Sequence, residues 1–176
     1  MKFSTRARYG LRMMLELARK LHNENLVDLG RIAKVTGISE NYLAQLAMTL
    51  KNDGLLIGVS GKKGGYQLGR PANEIKISEI VTALIGPISV TDCTSNPNLC
   101  LTSSYCETRA IWALVNSRIE ETLNEFTLAD LLDNNFMKNM QSKYSNVSYL
   151  FPDKIMAEIE ENVTPVCPVT IEKEIL

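Results

Sequence analysis

Residues 28–68 carry start and stop signals so closely spaced that few folds can hold them. Asp28 is a good helix N-cap, and Val27 with Ile32 occupies the two positions of a hydrophobic staple. Leu29, Ile32 and Ala33 recur at helical spacing, and Gly37 offers the left-handed residue that ends the helix. Ile38 follows as an apolar plug, and Ser39 at once caps another helix, running from about Glu40 to Asp53 and stopping at Gly54. Its inward face is Tyr42 or Leu43, Leu46, Ala47 and Leu50; its other face holds Asn41, Gln45, Thr49 and Lys51. Two helices joined by so short a turn form a helix-turn-helix.

Directly after it, residues 55–68 read as two short apolar strands around a glycine-rich, basic turn. A hairpin in that place is a wing, with Lys62 and Lys63 at its tip and Gly64 and Gly65 entering the second strand. Upstream, Ser4 caps a first helix whose apolar face is Tyr9, Met13, Leu17 and Leu21, broadened by Leu11, Met14 and Leu15. Arg6, Arg8 and Arg12 crowd its first turns, where the helix dipole disfavours cations. A nearby phosphate removes that conflict.

Charge divides along the chain in the same sense. Residues 1–72 hold 12 basic and 5 acidic residues, and residues 73–176 hold 7 basic and 15 acidic, so +7 faces −8 inside a net charge of −1. A basic front and an acidic back suit a nucleic-acid-binding protein. The expected fold is mainly α with a small β-hairpin wing: a winged helix-turn-helix followed by a long dimerisation helix. The candidate DNA-facing residues are Arg6, Arg8, Asp28, Ser39, Glu40, Asn41, Tyr42, Gln45, Ser60, Lys62, Lys63, Gly64, Gly65 and Tyr66. Asn41 and Gln45 carry carboxamides that match the donor and acceptor of adenine. Arg6, Arg8, Lys62 and Lys63 suit phosphates, which position a protein without specifying sequence. An enzyme is not expected: there is no nucleophile–base motif, no phosphate loop and one histidine, His22. No segment approaches the ~20 apolar residues of a membrane span, and the N-terminus lacks a signal-peptide core, so a cytoplasmic location is expected.

The back of the chain brings in a second chemistry. Cys93, Cys100 and Cys106 fall within 14 residues in loop composition, and Cys167 stands apart between two prolines. In a cytosolic chain such a trio reads as metal or redox chemistry rather than as a disulfide framework. Ser104-Tyr105-Cys106-Glu107 reads as a capping box that places Cys106 in the first turn of the next helix, where thiolate is favoured. That helix is expected from about residue 104 to 126, with an apolar seam of Ile111, Trp112, Val115, Ile119, Leu123 and Phe126 that wants a partner. Residues 128–132 read as a short helix. Beyond them Met137, Met140, Tyr144 and Val147 hint at one helix and 155–159 at another, with Pro152, Pro165 and Pro168 as breaks. The expected segments are 1–75 (winged helix-turn-helix), 76–103 (short helix and cysteine loop), 104–133 (dimerisation helix) and 134–176 (extension).

The run Gly37-Ile38-Ser39-Glu40-Asn41-Tyr42-Leu43-Ala44-Gln45-Leu46, followed by Gly64-Gly65-Tyr66-Gln67-Leu68, resembles the Rrf2 family of bacterial winged helix-turn-helix regulators. Ser4-Thr5-Arg6-Ala7-Arg8-Tyr9-Gly10 is similar to the family's opening, and Cys106 followed by Trp112 is similar to its long helix. The resemblance covers about residues 1–133. It implies a homodimer reading a palindromic operator in double-stranded DNA. It also implies an iron–sulfur cluster, most often 2Fe-2S, on Cys93, Cys100 and Cys106. The histidine that serves some members as fourth ligand, three residues after the third cysteine, is Arg109 here, and the acidic residue that serves others is Arg8. Glu107 and Cys167 are the remaining candidates. The alternative is a cofactor-free thiol/disulfide switch. A metal-binding protein outside transcription leaves the helix-turn-helix and wing unexplained.

Overall fold

A computed structural model describes residues 4–22, 24–61, 63–102 and 104–144. The expectations for Lys62, for Cys167 and for everything beyond Tyr144 fall outside these residues, as does the side chain of Met137. Helix α1 spans Thr5–Leu21, with Ser4 accepting a hydrogen bond from the Arg6 N–H at 3.1 Å. It buries Ala7, Gly10, Met13, Met14, Leu17 and Ala18, and Tyr9, Leu11, Leu15 and Leu21 pack at the core's margin. Helix α2 spans Leu29–Thr36 behind the Asp28 cap and ends at Gly37, whose φ of 71° is left-handed. Thr36 is buried and knits the turn: its hydroxyl donates to the Ile32 carbonyl at 2.8 Å and accepts from the Ile38 N–H at 3.3 Å. Helix α3 spans Glu40–Asn52 behind Ser39 and buries Leu43, Leu46, Ala47 and Leu50. Leu43, not Tyr42, therefore occupies the core. Tyr42 lies half-buried with its ring edge-on to Tyr9, centroids 6.1 Å apart.

Strands β1 (Leu56–Val59) and β2 (Gly65–Leu68) pair antiparallel, with Leu56 opposite Leu68 and Val59 opposite Gly65. A third rung joins this hairpin to the start of α2. Tyr66 donates its N–H to the Val27 carbonyl at 2.8 Å and accepts from the Val27 N–H at 3.0 Å. The two glycines follow from that approach. A Cβ on Gly65 would stand 2.8 Å from the Val27 carbonyl oxygen, and one on Gly64 2.3 Å from the Val59 carbonyl oxygen. Neither distance admits a side chain without moving backbone.

The core does not stop at the wing. Helix α4 (Ile77–Ile85) adds Ile77, Ile80, Val81 and Leu84 to it. A short helix α5 (Asp92–Ser95) opens the cysteine segment, and the long helix α6 (Glu107–Glu125) follows. The far end of α6 returns to the core: Phe126 accepts from the Ile77 N–H at 3.0 Å, and Leu128 donates to Ile75 at 2.8 Å with its side chain fully buried. Here the structure corrects the expected helix over 128–132. Thr127 and Asp130 cap one another and leave a single 3-10 turn, Asp130–Leu132, while Leu128 plugs the core. Helix α7 (Phe136–Lys143) then sets Phe136 edge-on against Phe126, 5.9 Å away. No helix among the described residues is long and apolar enough to cross a membrane.

Candidate nucleic-acid interface and cysteine loop

The outer face of α3 is open. Glu40, Asn41 and Gln45 are exposed, and so is Ser39 at the cap, whose hydroxyl accepts from the Tyr42 N–H at 3.4 Å. Asp28 is exposed as well, with its carboxylate accepting from the Arg31 N–H at 3.0 Å. Arg6 reaches across from α1: its Nη2 donates to Thr49 Oγ1 at 2.7 Å, and that hydroxyl donates to the Gln45 carbonyl at 3.2 Å. The bond draws the basic start of α1 against the polar face of α3. Arg8, next on α1, lies over the Tyr9 ring at 5.7 Å. Ser60 and Lys63 are exposed on the wing turn, Gly64 and Gly65 enter β2 under the steric limits above, and Tyr66 is half-buried beside Val27. Arg6, Thr49, Gln45 and Asn41 thus share one surface, and the wing is fastened to the same helix pair through Val27.

The cysteines lie between α4 and α6. Cys93 sits in α5 and is half-buried; Cys100 is exposed; Cys106 is half-buried at the mouth of α6. All three are free thiols. The expected capping box is not made. The Tyr105 N–H donates to the Thr102 carbonyl, and α6 begins at Glu107 with Cys106 as its N-cap. That position still favours thiolate. The Cys106 thiol is held below its ordinary value, first by the Thr108 hydroxyl 3.1 Å away and then by the Arg109 N–H. The Cys100 thiol is lowered by the Thr102 hydroxyl at 3.2 Å, and the charge of Cys106 opposes the shift, so the two sulfurs lie within electrostatic reach.

Three soft sulfur donors, two of them with lowered thiol pKa, fit an iron–sulfur centre in chemistry. No three Cys, His, Asp or Glu side chains among the described residues gather closely enough to hold a metal ion as folded. Arg109, at the position the family resemblance reserves for a ligand, donates from Nε to the Cys93 carbonyl at 2.9 Å. Exposed Glu107 follows Cys106 directly, and His22 is exposed at the end of α1. Sequence reasoning missed the role of Asn116, which bonds both Val90 and Thr94. The only signal for it was a carboxamide in mid-helix, seven residues after Arg109.

The Rrf2 family profile, described as iron-dependent transcriptional regulators, matches residues 3–134. The transcriptional regulator CymR of Bacillus subtilis is 39% identical over 131 residues, covering 74% of this chain and 89% of CymR. Its solved structure superposes with a TM-score of 0.63 at 37% identity, covering 74% of this chain and 95% of that one. The structure of T. potens IscR gives a TM-score of 0.61 at 35% identity, covering 75% of this chain and 86% of that one. The relatives are DNA-binding transcriptional regulators with the same winged-helix architecture, and the chain belongs to the Rrf2 family of transcriptional regulators.

Proposed function

We propose that this chain is a cytoplasmic, homodimeric regulator that binds a palindromic operator in double-stranded DNA and receives its signal through Cys93, Cys100 and Cys106. The observation that carries the DNA-binding half is the Arg6–Thr49 bond, which joins the basic end of α1 to the exposed carboxamide face of α3. Asn41 and Gln45 meet base edges in the major groove; Arg6, Arg8, Lys62 and Lys63 hold phosphates on either side. Ser39, Glu40 and Tyr42 shape the helix end that enters the groove, and Asp28, Ser60, Gly64, Gly65 and Tyr66 set the approach of turn and wing. An exposed apolar face at the start of α6, with Ile111 59%, Trp112 41% and Leu114 54% exposed, supports pairing of two copies.

The signalling half rests on three cysteines attached to the start of that same helix. An iron–sulfur cluster held by Cys93, Cys100 and Cys106, of the 2Fe-2S type, supplies a redox-active and ligand-responsive centre when bound. The chain's residues prepare for it: Thr102 and Thr108 bias two sulfurs towards thiolate, and Arg109 fixes the backbone of the third. The family's iron dependence supports this reading. A second reading, a Cys100–Cys106 thiol/disulfide switch, is favoured by the electrostatic contact of those two lowered thiols. An absorption spectrum of protein purified without oxygen, with iron and sulfide counted per subunit, tests both. Broad visible absorption with matched iron and sulfide supports the cluster. A spectrum that stays featureless after reconstitution, with a thiol count that falls on oxidation, overturns the cluster in favour of the switch. A featureless spectrum with an unchanging thiol count removes both.

A further inference from the structure

Asn116 lies in mid-α6, seven residues after Arg109, and positions seven apart share a helix face. Both side chains bind one short stretch of the cysteine segment. Asn116 Oδ1 accepts from the Val90 N–H at 2.8 Å, and its Nδ2 donates to Thr94 Oγ1 at 2.8 Å. Arg109 Nε donates to the Cys93 carbonyl between them at 2.9 Å. The stretch is also knotted on itself, since the Ser89 and Thr94 hydroxyls both donate to the Thr91 carbonyl at 2.6 Å. Further along, the Cys100 N–H donates to Pro97 and the Tyr105 N–H to Thr102, and Leu99 and Leu101 stand exposed.

We propose that Asn116 is a positioning residue that couples the cysteine segment to the long helix. Its carboxamide holds the Cys93 stretch on α6, while exposed Cys100 lies beyond the clamped stretch. A reaction that draws the three sulfurs together therefore pulls on the Cys93 stretch, and the load reaches α6 through Asn116. A carboxamide suits the task because it accepts and donates at once, gripping two residues of the loop from one side chain. Arg109 adds a third bond but stands within one turn of the helix end, whereas Asn116 grips the middle. This inference rests on the reading of the loop as the receiver of the signal.

The test uses the full chain and two variants, Asn116→Leu, which keeps bulk and loses both bonds, and Thr94→Val, which cuts the clamp from the loop side. Iodoacetamide labelling of each cysteine in the reduced protein is followed by mass spectrometry. Affinity for a duplex selected by the unaltered protein from a randomised pool is measured in thiol-reduced, diamide-oxidised, and iron- and sulfide-reconstituted protein. Asn116→Leu is expected to speed Cys93 labelling about ten-fold with Cys100 and Cys106 unchanged, as local opening predicts. It is also expected to shrink the affinity difference between states to under about two-fold without changing affinity in the reduced state. Thr94→Val moves both readings the same way by a smaller amount, and carries the test if Asn116→Leu does not fold. Unchanged Cys93 labelling overturns the clamp. Faster labelling with the full affinity response retained overturns the coupling. An unaltered protein whose affinity is the same in all three states removes the sensing role of the loop, and the coupling with it.

Discussion

Gln45 and Lys63 both project from exposed positions, yet they are expected to fail in different ways when truncated. In the proposed docking Gln45→Ala removes a carboxamide from a base edge, so discrimination at one operator position should fall by about 1–3 kcal/mol while other positions keep theirs. A competition assay over single-base operator variants reads this; a uniform loss contradicts the assignment. Lys63→Ala, alone or with Lys62→Ala, should weaken binding to every sequence and reduce the slope of log affinity against log salt by about one for each phosphate left without its lysine. Thr102→Val tests the cysteines at the same scale. The Thr102 hydroxyl stabilises the Cys100 thiolate, so its loss should move the midpoint of alkylation rate against pH upward and slow labelling at neutral pH. These assignments were open to sequence reasoning to the extent that they are local. Asn41 and Gln45 fall on the outer face once Leu43, Leu46 and Leu50 are read as core. The Arg6–Thr49 bond spans 43 residues and leaves no local trace, so Arg6 could be read only as a surface cation.

At the level of elements, the helix-turn-helix was legible because each boundary is written in neighbouring residues: Asp28 and Ser39 cap, Gly37 turns, and Thr36 and Ile38 close the turn behind them. The start of α6 was misread because Ser104 to Glu107 satisfies the pattern of a capping box, while Tyr105 bonds back to Thr102 and Cys106 takes the N-cap. Residues 128–132 misled for a similar reason. Their apolar spacing suits a helix, but Leu128 is pulled into the core by its backbone bond to Ile75, a partner more than fifty residues away. The wing gives the sharpest prediction at this scale. Gly65→Ala sets a methyl 2.8 Å from the Val27 carbonyl oxygen, so β2 must separate from Val27 or the turn must shift. A cost of about 1–3 kcal/mol in stability is expected, with a matching fall in thermal midpoint. A variant as stable as the parent would show that the Val27–Tyr66 rung is dispensable.

Across the whole molecule, a basic front built on α1, α3 and the wing is joined through α4 to a long helix whose first half leaves its apolar side chains uncovered. The charge division between residues 1–72 and 73–176 carried this organisation in the sequence, as did the seam from Ile111 to Phe126. The far end of that seam, Leu123 and Phe126, packs on the chain's own core, while Ile111, Trp112 and Leu114 stay exposed, a division that periodicity alone does not reveal. Trp112, 41% exposed, is the natural anchor of the proposed pairing. Trp112→Ala is expected to weaken dimerisation by about 2 kcal/mol, roughly thirty-fold, as read by sedimentation equilibrium. An unchanged dimer would move the interface elsewhere. The most direct test of the account is hydroxyl-radical footprinting on a duplex selected from a randomised pool. Two symmetric protected half-sites centred one helical turn apart, about 34–36 Å, or a multiple of it, are the predicted result for a dimer presenting two α3 helices. A single protected half-site, or protection that does not follow sequence, would contradict it.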